Sequence, residues 1–382
     1  MKRIPSVLVA LALVAALLPL PGARGAEKKI CAFDRAFIPF SFVRNQQPTG
    51  FEVEVLEAAL AGTGLGIEFK PMRSWEQGQA ELASGVVHIA PGVTRSELRD
   101  KLFIYPSVPT VELGLKFFVN RASLIRSVDQ LRGQTIATRR DSVTQLLLQE
   151  FGGVKVRLYE DDEKALAAVQ TGDAQAYLGA DKLAWDIIAR RDMKNIVVVG
   201  RTLHKEPLYF ALYKGETALR DMVDRGLKQI MANGEYDRIY RKWFVPELST
   251  QDMQALVTKA VAELPVAHAP RTGAPRAAAV STRSGAVYTG ASVEGQREGI
   301  GVSALEAAVA KAVGAGDLEL RAAVVVDAKG RAVPPTAPER DLLTGFDRGV
   351  LVVLEPNPGE HEAWMAPALL PFAPGMPGRS AE

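Results

Sequence analysis

From residue 28 to 248 the chain alternates short apolar runs with stretches whose apolar residues recur every three or four positions, and this predicts strand after helix after strand. Lys29 to Phe33 predicts a first strand. Phe51 to Thr63 predicts a helix with Val53, Leu56, Ala59 and Leu60 on one face, Ile67 to Lys70 the next strand, and Trp75 to Ser84 a helix stopped by Gly85. Phe37 to Phe42 reads as an aromatic-rich loop and Asn45 to Gly50 as a turn. Val86, Val87 and Ile89 predict a buried strand that ends at Pro91-Gly92. Short connections between such elements argue for a parallel sheet covered by helices, where ligands bind beyond the carboxyl ends of the strands.

A second block of the same kind follows. Leu115 to Val119 predicts a crossing strand, and Thr135 to Thr138, Val154 to Tyr159, Ala174 to Leu178 and Asn195 to Val199 predict further strands. Val143 to Phe151 and Glu163 to Thr171 predict helices between them, and Leu208 to Tyr213 a return crossing. Helices at Ala218 to Asn233 and Tyr236 to Trp243 close the block. The expected fold is α/β, a clamp of two lobes (about 27–117 with 210–248, and about 118–209) hinged at two crossings. Residues 249–382 are long enough for a further α/β domain, with helices at Met253 to Leu264, Ser303 to Val313 and Glu339 to Phe346. Its strands are expected at Ala277 to Val280, Val287 to Thr289, Ala322 to Val326 and Gly349 to Leu354.

Composition narrows the function. With 382 residues, 47% hydrophobic and 24% charged, the chain has globular values and room for two or three domains. A net charge of +2 argues against a polyanionic partner, and no basic stripe interleaved with aromatics points to nucleic acid. Lys2 and Arg3 precede an apolar run, Val7 to Leu20, followed by Gly22, Ala23, Gly25 and Ala26. This is the layout of a signal peptide over residues 1–26 and places the mature protein in the periplasm. One cysteine, Cys31, and four scattered histidines argue against a zinc site of the common type, so no metal or cofactor is expected.

The candidate chemistry sits in Ile89 to Arg99, where Gly92, the hydroxyls of Thr94 and Ser96 and the guanidinium of Arg99 lie close in sequence. An arginine fork beside bare backbone N–H groups makes a receptor for a small carboxylate. Taken alone, the same stretch also fits an ordinary polar turn with Arg99 solvated beside Glu97 and Asp100.

Seven motifs in order set that stretch in a wider frame. They are Phe37-x-Pro39-Phe40-Ser41-Phe42, Thr49-Gly50-Phe51-Glu52-Val53, Leu82-x-Ser84-Gly85, Gly92-Val93-Thr94-x-Ser96-x-x-Arg99, Leu131-x-Gly133, Ala176-Tyr177-x-Gly179-x-Asp181, and Ile230 to Phe244 around Gly234-x-Tyr236 and Lys242-Trp243-Phe244. With these, residues 28 to 248 resemble the bacterial extracellular solute-binding proteins of family 3, the periplasmic amino-acid receptors of ABC importers. The resemblance implies a type II periplasmic-binding-protein clamp, a small amino acid or carboxylate as ligand and an ABC permease as partner. It assigns the ligand carboxylate to Arg99 and Ser96, and the amino group to Asp181 with the Gly92 carbonyl. Phe37 and Trp75 would sandwich the ligand body, with Thr94 and Ser142 beside it. Two departures stand out: Asp141-Ser142-Val143 replaces a Gly-Ser-Thr loop, and Asp181 falls one residue late after Gln175. A rival use of the same clamp is catalysis of the dehydratase kind, although no paired acid and base stands out; His204 and Glu206 read as surface residues near the hinge.

The remaining residues carry Ala267-x-Ala269-Pro270, Tyr288-Thr289-Gly290-x-Ser292-Val293-Glu294, Ser303-Ala304-Leu305-Glu306 and Pro335-Thr336-Ala337-Pro338-Glu339, with Leu369-Leu370-Pro371-Phe372 near the end. This block resembles the cytidine deaminase fold. In that family cysteines or a histidine hold zinc and a glutamate moves the proton. The corresponding positions here are Ser303, Leu305, Thr336 and Glu339, and an aromatic expected nearby is Ala274. The domain is therefore expected to lack catalysis, with Ser292 and Glu294 as a second candidate ligand site. Assembly of the chain into a dimer or tetramer through this domain is a further expectation, and active nucleoside deamination, which would require zinc, is the opposing one.

Overall fold

The structure is a computed structural model and describes residues 28–369 apart from Asp141 and Glu298. The segment read as a leader, Asp141 and the Leu370 to Phe372 part of the last motif thus lie outside the described residues.

One sheet runs through both lobes. Among the described residues it has nine strands, eight of them in the order Lys155–Tyr159, Thr135–Arg139, Ala176–Ala180, Val111–Asn120, Ile196–Tyr213, Ile89–Thr94, Lys28–Phe33, Gly66–Pro71. The outer strands of each lobe are parallel, as in Lys28–Phe33 with Gly66–Pro71 and Thr135–Arg139 with Lys155–Tyr159, while Ile89–Thr94 and Ala176–Ala180 meet the crossing strands antiparallel. The two central strands, Val111–Asn120 and Ile196–Tyr213, pair antiparallel with each other and carry the chain between the lobes. They are the expected crossings, but longer than predicted. The two strands expected at 195–199 and 208–213 are one 18-residue strand, because its partner offers backbone groups on both sides of the irregularity between Val199 and His204.

Three further expectations change. The aromatic loop at Phe37 to Phe42 belongs to a small three-stranded sheet, Ala36–Phe37, Ser41–Arg44 and Gln47–Thr49, turned at Asn45 and Gln46. Those two residues sit at φ 50° and 63°, as a two-residue hairpin turn of the primed type requires. The strand predicted over Val86 to Ile89 instead starts at Ile89 and runs to Thr94, and Val86 is 55% exposed. Pro91-Gly92 does not end it. Three steps from Ala90 to Val93 face two from Ala211 to Tyr209 on the partner, so the pair forms a β-bulge with Gly92 at φ 69°. Finally, helix Asp181–Arg190 was not anticipated.

The terminal domain has its own sheet, six-stranded among the described residues, with Val287–Ala291, Ala277–Thr282, Leu320–Val326, Leu351–Asn357 and Glu360–Met365 as neighbours. Strand side chains alternate between faces, and here both faces are buried. Ala277, Ala279, Val324 and Val326 pack on helix Thr250–Glu263 in a cluster shared with the first lobe, while Ala278, Val280, Ala323 and Val325 pack on helix Ala304–Gly314. No helix among the described residues is long and apolar enough to cross a membrane.

Candidate functional site

The bulge organises the first-lobe half of the site. Gly92 takes a positive φ that side chains rarely adopt, and an added Cβ would stand 3.2 Å from the Phe37 ring. Phe37 therefore lies against the bulge, stacked on buried Phe40 at 4.8 Å between centroids, and Phe40 packs on Phe51 and Phe244. Past the strand, Ser96 caps the short helix Glu97–Asp100 by accepting the Arg99 N–H at 3.3 Å.

That cap turns Arg99 back over the strand. Its Nη1 donates to the Thr94 carbonyl oxygen at 3.0 Å and to Thr94 Oγ1 at 2.5 Å, while Nε donates to Gln79 Oε1 at 3.3 Å. The guanidinium carbon lies 5.7 Å from the centroid of the Trp75 ring, within cation–π range. Nη2 makes no hydrogen bond among the described residues. Thr94 and Ser96 use their oxygens as acceptors, so each hydroxyl proton remains available to donate. Asp100 is taken by Arg95, with Nε–Oδ1 at 3.2 Å and Nη2–Oδ2 at 2.9 Å, and Arg95 also lies over the rings of Tyr105 and Tyr209. The solvated-turn reading of Arg99 beside Asp100 does not hold.

Phe37, Gly92, Thr94, Ser96, Arg99 and Trp75 thus form one connected group in the first lobe. Gln79, which the sequence reading missed, belongs to it; Trp75 and Gln79 are four apart on helix Trp75–Ser84, and that spacing puts both on one face.

The second-lobe residues are differently placed. Ser142 caps helix Val143–Phe151, accepting from the Gln145 N–H at 3.3 Å and donating to the Arg139 carbonyl oxygen at 2.5 Å. Asp181 opens helix Asp181–Arg190 and is buried; its Oδ1 accepts the N–H groups of Lys182 at 2.7 Å and of Gly114 at 3.1 Å. Its Oδ2 stands 3.7 Å from Lys116 Nζ, which also meets Glu319 of the terminal domain at 2.5 Å. Lys116 was also missed, although a lysine inside the apolar run Leu113 to Val119 was a signal. No hydrogen bond or ion pair among the described residues joins Asp181 or Ser142 to the Arg99 group.

The same two-lobed architecture recurs in known proteins. Residues 30–246 match the model of the bacterial extracellular solute-binding proteins, family 3. The chain belongs to that family. Residues 249–353 match the cytidine deaminase-like model, so the family 3 clamp carries a cytidine deaminase-like domain. Among curated relatives, the L-glutamate/L-aspartate-binding protein of Pseudomonas aeruginosa is 27% identical over 63% of this chain and 88% of its own length. The L-cystine-binding protein TcyJ of Escherichia coli K12 is 26% identical over 56% of this chain and 82% of its own. Among solved structures, an ancestral cationic amino acid solute-binding protein is 29% identical with a TM-score of 0.51, covering 58% of this chain and 96% of that one. A histidine kinase sensor domain similar to periplasmic binding proteins is 26% identical with a TM-score of 0.50, covering 57% and 96%. The fold is that of type II periplasmic binding proteins.

In the terminal domain the residues at the deaminase metal positions do not fit zinc. Ser303 and Thr336 each close a capping box at a helix N-terminus, with Glu306 and Glu339 as partners. Glu339 is 3% exposed and accepts from Thr336 N at 2.8 Å and Thr336 Oγ1 at 2.9 Å, and Leu305 is fully buried in the core. Hydroxyls spent on capping and a leucine are poor ligands for a cation that favours thiolate and imidazole. Ser292 and Glu294 are likewise engaged locally: Ser292 Oγ accepts the Arg276 N–H at 3.0 Å, and Glu294 accepts from the N–H groups of Arg271 and Thr272 and from Thr272 Oγ1. The hydrogen bond from the Thr272 side chain leads in holding the Glu294 carboxyl below its usual range.

Proposed function

We propose that the chain is an exported receptor that captures a polar amino acid or a similar small carboxylate between its lobes, for ABC-type uptake or sensing, and that its terminal domain is not catalytic. The observation that carries this reading is the Arg99 group. A guanidinium fixed by Thr94 and Gln79 over Trp75, with Nη2 unused and two hydroxyl protons beside it, is ordered before a ligand arrives, and pre-ordering lowers the entropic cost of binding. Phe37 supplies an apolar wall next to it. Names of the relatives, which bind glutamate, aspartate and cystine, agree with a zwitterionic or acidic ligand.

Export rests on the composition of residues 1–26, and the partner permease on the family. The capping boxes at Ser303 and Thr336 support a terminal domain without zinc chemistry. A thermal-shift screen of amino acids and small carboxylates, followed by calorimetry on the best ligand, tests the receptor. Saturable binding lost in Arg99→Ala is expected, and binding unchanged in that variant overturns the site. Zinc found in stoichiometric amount by elemental analysis, with cytidine turnover, overturns the non-catalytic terminal domain.

A further inference from the structure

The terminal domain touches the two lobes by different means. Toward the first lobe the contact is mainly a continuous apolar cluster, in which Phe51, Leu227, Ile239 and Tyr240 join Met253, Leu256, Val257 and the sheet residues Ala277, Val324 and Val353, with the Arg348–Asp237 pair at its rim and Lys182 reaching over the Tyr240 and Phe244 rings. Gly349 sits so close to Val245 that an added Cβ would lie 2.7 Å from its Cγ2. Toward the second lobe and the crossing strands the contact is polar. Lys182 Nζ stands 3.7 Å from Asp347 Oδ2, Lys116 meets Glu319, Arg121 donates to the Ser284 carbonyl oxygen, and the Arg283 guanidinium lies 5.1 Å from the Trp185 ring centroid.

A body fused to one side of a hinge and touching the other side at several points takes away the freedom of the hinge. Either the second-lobe contacts break or the lobes keep their angle. Apolar burial is non-directional and holds the domain on the first lobe, whereas ion pairs with little solvent around them act through geometry, because each buried charge needs its partner in place. Lys182 and Lys116 have side chains only 9% and 11% exposed. Burial pushes the Asp347 carboxyl up, yet Lys182 and the other cations around it outweigh burial and hold it at about 2, so the pair is charged at neutral pH.

We infer that the terminal domain is a brace for the clamp: riding on the first lobe, it clasps the second through Lys182–Asp347, Arg121–Ser284 and Arg283–Trp185 and so sets the angle of the cleft. Lys116 joins this clasp to the hinge, since the same ammonium lies between Glu319 and Asp181. Ligand-driven motion of the second lobe must work against the clasp, and the apparent affinity then depends on how firmly the terminal domain holds.

The test is an interlobe distance measured without ligand. Spin labels at Glu68→Cys on the first lobe and Glu150→Cys on the second, both exposed positions, report the angle in the full chain; Cys31 is fully buried and stays unlabelled. The expected result is one narrow distance in the parent, and a shifted, broader distribution when Arg121→Ala, Lys182→Met and Arg283→Ala are combined. Coincident distributions in a folded variant overturn the brace. Should the triple variant fail to fold by circular dichroism, Arg283→Ala alone gives the same reading, and an unshifted distance there overturns it equally. A parent chain that binds no amino acid or small carboxylate, with the distance shift still seen in the variant, would count against the receptor reading and leave the brace standing.

Discussion

The two halves of the cleft are built from the same kinds of residue and prepared in opposite ways. In the first lobe Arg99 is oriented by Thr94, Gln79 and Trp75 and keeps donors to spare. In the second lobe Asp181 has its carboxylate committed to the hinge, with the Gly114 and Lys182 N–H groups and Lys116 around it. A donor set left open recognises; an acid already matched positions. On the proposed reading, the carboxylate end of a ligand would meet a ready-made fork, while the acid of the other lobe serves the hinge.

Arg99→Ala should have the largest effect. Truncating a charged, hydrogen-bonded partner of a desolvated carboxylate costs on the order of 2–5 kcal/mol in binding, and calorimetry on the ligand found by screening should show a loss of that size. Arg99→Lys should recover only part of it, because an ammonium lacks the planar fork and its stacking on Trp75. Full affinity in Arg99→Lys would reduce the first-lobe half to a point charge and break the comparison there.

The rigidity of the first lobe has a buried acid beneath it, and this gives the second effect. Glu52 is fully buried, accepts from Thr110 Oγ1 at 2.6 Å at the root of a crossing strand, and its Oε2 has no partner among the described residues. Burial pushes its carboxyl from 4.5 up to about 8, despite the hydrogen bond from Thr110. The unfolded chain loses this proton near the ordinary value and the folded chain near 8. Its contribution to stability is therefore whole at low pH, declines as pH rises between those values, and is flat above them. Urea melts across that range should show the decline in the parent and a shallower one in Glu52→Gln. A slope unchanged by the substitution would show that the first lobe does not rest on a protonated Glu52.

Gly92→Val comes third. A side chain at φ 69° carries roughly 1–2 kcal/mol of backbone strain, and its Cβ would press on the Phe37 ring at 3.2 Å. A lower melting temperature together with weaker ligand binding is expected, since the same residue shapes the bulge and seats the aromatic wall. Lower stability with unchanged affinity would separate the bulge from the site.

Periodicity and punctuation made much of this fold legible. Helix Trp75–Ser84, with Ser74 before it and Gly85 in the left-handed region after it, lies where its pattern put it, as does Val143–Phe151 between Ser142 and Gly152. Helix Asp181–Arg190 carries a helical pattern, with Lys182, Asp186 and Arg190 four apart and Ala184 and Ile187 buried, but its cap is an alanine that makes no side-chain bond, so no start signal sets it off from the strand before it. Pro91-Gly92 misled for a physical reason: in a bulge the pair does what it does in a turn, taking up a backbone conformation that ordinary residues avoid. On the site, motif order located the Arg99 group, whereas Gln79 and Lys116 become visible only when the helix and the crossing strand are set side by side. Asp181 shows the limit most clearly, since sequence gives its place on the chain but not which groups have already claimed its oxygens.

Asp181→Asn is the smallest expected effect and tests the contrast between the lobes most directly. Asparagine keeps an acceptor for the Gly114 and Lys182 N–H groups and removes the charge facing Lys116, which still has Glu319 at 2.5 Å. If Asp181 acts on the hinge, ligand affinity in Asp181→Asn should stay within about threefold of the parent, roughly 0.6 kcal/mol, as for a group that does not touch the ligand. Stability should fall modestly, because Lys116 loses one of two acids in a nearly closed environment. A loss of affinity as large as that of Arg99→Ala would mean that Asp181 leaves Gly114 and Lys116 for the ligand's amino group when the lobes move. In that case Lys116, released from one acid, should lean on Glu319 alone, and a double-mutant cycle of Asp181→Asn with Glu319→Gln, read by ligand affinity, would show a coupling between the cleft and the terminal domain. Independent effects in that cycle would leave Asp181 as part of the hinge frame and assign ligand recognition in this pair of lobes to the Arg99 side.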